Sequence, residues 1–135
     1  MSLHARRLGR RGEALACQAL LERGAQILAC NVRTPHGELD IVARQGSTLV
    51  FVEVKARTSR AYGVPEEAIT RTKQGHLIAA AQHDMEVNAP TEADWRIDVV
   101  AIELGPHDET ARLEIIANAV RGDSLPASFS GNAHL

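Results

Sequence analysis

Aromatic side chains are scarce: four among 135 residues, or 3%. A core built from this chain is therefore aliphatic and alanine-rich, and extensive stacking of nucleobases on aromatic platforms is not available to it. Cysteine is nearly absent. Cys17 and Cys30 form no CxxC pair and no Cys/His cluster with zinc spacing. The reading is two buried free thiols, with a single disulfide between them as the alternative. No apolar run approaches the roughly 20 residues that a membrane helix needs. The arginines near the N-terminus have no apolar stretch behind them, so no secretory signal is predicted and a cytoplasmic location is expected. The six histidines lack HExxH or similar spacing, and none is read as a metal ligand. No internal repeat is visible.

What is present fits one soluble domain. Hydrophobic residues make up 44% and charged residues 24%, an ordinary globular composition. The length suits a single core. That core is expected within residues 1–123, followed by a small, polar, flexible tail over 124–135.

A formal net charge of −2 argues against binding a polyanion, but the charge is unevenly spread. Residues 1–60 hold ten Lys/Arg and five Asp/Glu, whereas the rest hold five basic and twelve acidic residues. A polyanion responds to the field within about 8–10 Å more than to the total. The asymmetry permits a basic face. Equally, the acidic half can fold beside the basic half and cancel it.

Periodicity gives the order of elements. Leu8, Leu15, Ala16, Ala19 and Leu20 recur near helical spacing across residues 5–23, and Gly24 stands where a C-terminal cap is expected. Strands are predicted over 27–33, 38–44 and 48–56, the last strongly β-forming at Val50, Phe51, Val52 and Val54. A polar loop spans 57–64. Pro65-Glu66-Glu67 opens a second helix that runs to about Met85. Two more strands follow, over 95–104 and 111–117. The order α-β-β-β-α-β-β predicts an α/β fold, one mixed sheet with helices packed on it.

Strand side chains alternate faces, so Glu38 and Asp40 project together, as do Glu53 and Lys55. Whether the pairs meet depends on the hairpin around Gln45-Gly46-Ser47. An even turn places Glu53 opposite Glu38 with Asp40 on the diagonal, all four charges on one face. An odd turn puts the pairs on opposite faces. Convergent carboxylates repel one another unless a cation joins them. Lys55 supplies one positive charge, and a hard divalent ion suits the remaining oxygens. Alternating charges on a strand are more often a solvated face, but here they interrupt a run that wants burial, Leu49-Val50-Phe51-Val52.

On the second helix, Lys73 falls within the apolar stripe, where it either snorkels past the core or meets an anion. On the first, Glu13 borders the buried stripe. It either faces the acidic site or pairs with Arg6 or Arg10. Arg10 and Arg11, with Arg6 and Arg7, form a dense cationic stretch suited to phosphates or to solvating a helix. Arg57, Arg60 and Tyr62 lie in the loop after the third strand, which mixes cations, hydroxyls and an aromatic, as a backbone-binding loop does.

Gly12-Glu13, Asn31-x-Arg33, Gly37-Glu38-Leu39-Asp40, Val52-Glu53-Val54-Lys55-x-Arg57, Gly63-x-Pro65, Lys73 and Arg96-Ile97-Asp98-Val99-Val100 together resemble the YraN family. These are predicted endonucleases related to archaeal Holliday-junction resolvases within the PD-(D/E)XK nuclease superfamily. The match spans roughly residues 9–120. One departure is Asn118-Ala119-Val120, which lacks the aromatic expected at its end.

The resemblance implies a restriction-endonuclease-like mixed sheet flanked by helices. It implies that Asp40 and Glu53 bind Mg²⁺ or Mn²⁺ with help from the Val54 carbonyl. Lys55 would position or activate the attacking water and stabilise charge on the phosphate. Glu13 matches a helix acid that assists the metal site, and Lys73 an auxiliary polar position. The expected activity is metal-dependent hydrolysis of phosphodiester bonds in DNA, branched or repair intermediates included. Resolvase relatives act as dimers, so a homodimer is expected, since a two-fold substrate needs two sites. The competing reading is a non-catalytic nucleic-acid-binding or partner-docking module on the same fold. A structural domain with no nucleic-acid role is the third.

Overall fold

The computed structural model describes residues 2–61, 63–88, 90–91 and 94–120. Tyr62 and the predicted tail over 124–135 lie outside the described residues. Helix α1 (Leu3–Glu22) starts where the Ser2 hydroxyl accepts the Ala5 N–H at 3.1 Å. It stops at Gly24, whose φ of +88° suits a residue without a Cβ. The Ala25 N–H then reaches back to the Leu20 carbonyl and the Gly24 N–H to that of Leu21, closing the helix end as the sequence predicts.

Strands β1 (Gln26–Thr34), β2 (Gly37–Gln45) and β3 (Thr48–Arg57) follow as two antiparallel hairpins. A 3₁₀ turn (Pro65–Ala68) and helix α2 (Arg71–Asn88) carry the chain across the sheet. Strand β4 (Asp94–Leu104) then runs parallel to β3, and β5 (Thr110–Val120) returns antiparallel to β4. The sheet order is β1-β2-β3-β4-β5. The predicted class and element order are therefore found, with the one parallel pair made by the α2 crossover.

The two helices cover opposite faces. Ala16 and Leu20 of α1 pack with Ile41, Ala43, Val50, Val52, Val100 and Ile102. Leu77, Ile78, Ala80 and Ala81 of α2 pack with Leu39, Val42, Leu49, Phe51 and Ile97. Gly12 sets how closely α1 approaches β3, because a Cβ there would stand 3.0 Å from the Ala56 Cβ. No described helix is long and apolar enough to cross a membrane.

Three features differ from expectation. The predicted helix from Pro65 to Met85 is two pieces. Ile69 (φ −84°, ψ 78°) breaks it, and the Thr70 hydroxyl then accepts the Lys73 N–H at 3.2 Å and caps α2 afresh. Arg112 of β5 also grips Glu66 at 2.6 Å, holding the 3₁₀ turn against the sheet. Second, the β2–β3 loop is only Gly46-Ser47, with Gln45 paired to Thr48. The even turn is present, but the register is two residues from the expected one. Continued one step past Ile41–Val52, it sets Asp40, not Glu38, across from Glu53. Third, the cysteines are free thiols, as expected, but Cys17 is half-buried and Cys30 exposed, because β1 is an edge strand.

Candidate metal centre

The paired ladder between β2 and β3 ends at Ile41–Val52. Beyond it the Asp40 side chain takes the place of a backbone acceptor: its Oδ2 accepts the Val54 N–H at 2.8 Å. The carboxylate therefore lies in the gap between the strands. A strand residue's N–H and C=O point to the same neighbour, so the Val54 carbonyl is aimed at this gap as well.

Four carboxylates converge there. The Glu53 carboxyl is close enough to Asp40 to raise its pKa. Oxygens of Glu13, Glu38 and Asp40 all lie within 4.8 Å of one another. Asp40 is common to both groupings and links the α1 acid to the β3 acid. Lys55 is near enough for its charge to act on Asp40. Lys73, from α2, places Nζ 3.1 Å from Glu53 Oε2.

The energetics reflect the crowding. Burial, then the hydrogen bond and charge of Glu53, push Asp40 up to about 7, against the opposing pull of the Val54 N–H and Lys55. Burial also raises Glu13, and the charges of Asp40 and Glu38 add to it, while a hydrogen bond from Asn31 lowers it. Glu53 is only 3% exposed. Its Oε2 has an ion-pair distance to Lys73, yet it is the buried side-chain oxygen left without a hydrogen bond among the described residues. The two observations agree if the ammonium sits off the hydrogen-bonding direction. Four acids against two ammonium groups leave an excess of negative charge. An all-oxygen donor set, one buried oxygen unsatisfied, fits a hard divalent cation.

The structure thus brings Glu13, Glu38, Asp40, Glu53, Lys55, Lys73 and the Val54 carbonyl to one place. Glu13 faces the acids Glu38 and Asp40. Lys73 meets an anion rather than only snorkelling. Glu38 is also shared with Arg33, at 3.9 Å across the β1–β2 ladder.

The proposed nucleic-acid contacts are dispersed. Arg10 and Arg11 are exposed on α1. Arg57 donates to its neighbour's carbonyl, that of Ala56, at 3.0 Å. Arg60 is held by both oxygens of Glu103, at 2.6 and 3.0 Å.

Asn31 has a role that no spacing argument assigned. It adopts φ +53°, a left-handed conformation that asparagine tolerates, and its side chain lies close enough to Glu13 to lower that carboxyl's pKa. An asparagine inside a predicted strand was the available signal.

Comparison with known proteins gives a consistent result. A relative named "UPF0102 protein" from Caldicellulosiruptor saccharolyticus is 40% identical over 117 residues, covering 87% of this chain and 99% of its own. One of the same name from Anaeromyxobacter dehalogenans is 46% identical over 122 residues, 90% of each chain. A third, from Roseiflexus castenholzii, is 44% identical over 119 residues, covering 84% of this chain and 93% of its own. The model of "Uncharacterised protein family UPF0102" matches residues 12–102, from the α1 glycine through the acid cluster to β4. The chain belongs to the UPF0102 family.

Proposed function

We propose that this protein is a metal-dependent endonuclease that hydrolyses phosphodiester bonds in DNA, in the resolvase-like branch of the PD-(D/E)XK superfamily. The observation that carries this reading is the Asp40 carboxylate wedged between two strands, in contact with buried Glu53 and with Lys55 close by.

Asp40, Glu53 and the Val54 carbonyl would hold Mg²⁺ or Mn²⁺, with Glu13 and Glu38 near enough to bind directly or through water. A divalent ion there supplies charge neutralisation for the phosphate and lowers the pKa of a water. The chain's own groups have distinct tasks. The Val54 N–H fixes one Asp40 oxygen so that the other is available to a ligand. Asn31 orients Glu13. Lys55 offers a positive charge beside Asp40, suited to orienting water and stabilising charge on the phosphate. Lys73 holds Glu53 in place through their 3.1 Å ion pair. A homodimer would present two such centres to a two-fold junction.

The test is incubation of the purified protein with supercoiled, single-stranded and four-way-junction DNA plus Mg²⁺ or Mn²⁺. Cleavage is expected, and Glu53→Gln should reduce it at least 10²-fold, on the order of one lost charge contact in the transition state. Intact DNA in every case with folded protein, or undiminished cutting by Glu53→Gln, rejects the reading.

One observation favours a second reading. The Lys73 ammonium already sits beside Glu53 and partly meets its need for a cation. A non-catalytic nucleic-acid-binding or partner-docking module could keep the cluster in that self-neutralised form. Calorimetry with Mn²⁺ and DNA separates the two: binding of DNA without uptake of metal supports the module.

A further inference from the structure

Cys17 and Cys30 lie outside the proposed chemistry, yet they face each other across the seam between α1 and the sheet. Cys30 pairs directly with Ile41 on β2. Directly opposed residues share a face, and Ile41 is wholly buried in the core under α1. Cys17, on α1, packs against that same core. Cys30 lies close enough to Cys17 to act on it and raise its pKa.

The same seam carries the Glu13–Asn31 contact. Glu13 is one helical turn before Cys17, and Asn31 follows Cys30. Neighbours on a strand normally face opposite ways. The left-handed Asn31 breaks that alternation: Ala29 and Val32, three residues apart, both pack under α2. Cys30 and Asn31 are thereby both free to meet α1.

We propose that Cys17 and Cys30 form a site of reversible oxidative modification, an internal disulfide that staples α1 to β1 one helical turn from Glu13. The oxidant class is a peroxide. Exposed Cys30 meets it first: one peroxide oxygen passes to sulfur, giving a sulfenic acid and water. The Cys17 sulfur then attacks the sulfenic sulfur and expels its hydroxyl as a second water, taking up the Cys17 proton. Two electrons leave the thiol pair, and a small dithiol returns them. Burial and the neighbouring thiol push Cys17 up to about 11, so it waits as the thiol and reacts only with the sulfur placed against it. Closing the ring brings the two sulfurs to about 2.05 Å by rotation of both side chains. None of this depends on whether the protein cuts DNA.

The experiment is treatment of the native full chain with dilute hydrogen peroxide, read by thiol titration, intact mass and non-reducing electrophoresis. The wild type should lose both titratable thiols together, lose two hydrogens in mass and remain a single chain. Its melting temperature should rise on the order of 10 °C, and dithiothreitol should reverse every change. Cys17→Ala should leave Cys30 unable to close the ring, so that added glutathione is captured there as a mixed disulfide instead. Cys30→Ser, in which the less accessible partner remains, should take up neither. Two thiols surviving in oxidised wild-type protein, or loss of thiols only into linked chains or sulfinic acid, would overturn the proposal.

Discussion

Burial and a neighbouring carboxyl act on Asp40 in the same direction, and this has a consequence for stability. An unfolded aspartate releases its proton near pH 3.8, whereas folded Asp40 holds it to about 7. Between these values the folded chain binds a proton that the unfolded chain has lost. Raising the pH through that window therefore costs stability, and the loss levels off above it. Burial raises Glu13 and Asp84 as well, with the same sign. Ion pairs lower Glu66 and Glu103, the opposite sign, but a lowered carboxyl acts below its ordinary value of 4.5, under most of this window. Urea midpoints of metal-free protein should fall across this window. Asp40→Asn should flatten much of the fall, and a bound divalent ion should offset it in the wild type, because it binds the ionised form. Identical slopes for wild type and Asp40→Asn would dismiss the account of Asp40 as the strained acid.

At the scale of elements, two irregular strands are held by side chains acting as backbone partners. The β4–β5 register shifts between Ile97–Val120 and Val99–Ile116, and Asn118 in the gap takes φ +52°. Its N–H would lack a strand partner, but Asp98, 1% exposed, accepts it at 2.8 Å. The same carboxylate takes the Arg96 Nε at 3.0 Å, and Arg96 reaches on to Gln45 beside the β2–β3 turn. Asp98→Ala would strand a half-buried guanidinium and a backbone N–H together, a cost of about 3 kcal/mol. Asp98→Asn keeps an acceptor for the N–H and should cost less. Chemical denaturation measures both, and a loss below about 1 kcal/mol for the alanine variant would refute this role.

This is also where reading the sequence stopped short. The end of α1 was legible because Gly24 carries its own reason, as was the β-forming run from Val50 to Val54. That Glu38, Asp40, Glu53 and Lys55 belong together followed from alternation and an even turn. Which acid faces Glu53 did not, since Gln45-Gly46-Ser47 accommodates the loop in more than one register, and the choice depends on packing across both faces. The break at Ile69–Thr70 was hidden for a similar reason: Pro65-Glu66-Glu67 starts a helix convincingly, and only the distant Arg112 and the Thr70 cap show why it stops. Strand irregularities at Asn31 and Asn118 depend on partners eighteen and twenty residues away.

At the scale of the whole molecule, the uneven charge along the chain is partly cancelled where its two halves meet, as at Arg60 and Glu103. Acids of the second half are partly consumed locally: Glu66, Glu103 and Glu114 gather around Arg112, and Glu103 also takes Arg60. Arg60 is therefore already matched by a carboxylate before any phosphate arrives, and releasing it would cost what the contact returned. Arg10 and Arg11 differ. They stand exposed on α1, the helix that also supplies Glu13 to the acid cluster, and Arg11 makes a long, 3.5 Å contact to the Asp108 carbonyl. Each cation that neutralises a phosphate contributes about 0.9 to the slope of log affinity against log salt for duplex DNA. Replacing Arg10 and Arg11 together by alanine should then lower that slope by about 1–2 and weaken binding evenly across sequences. Arg60→Ala should leave the slope nearly unchanged. Fluorescence anisotropy with labelled duplex over a salt series, with Ca²⁺ in place of Mg²⁺ to restrain cleavage, gives both numbers. A slope that drops for Arg60→Ala and not for the α1 pair would move the DNA path off α1 and onto the β3–β5 side of the molecule.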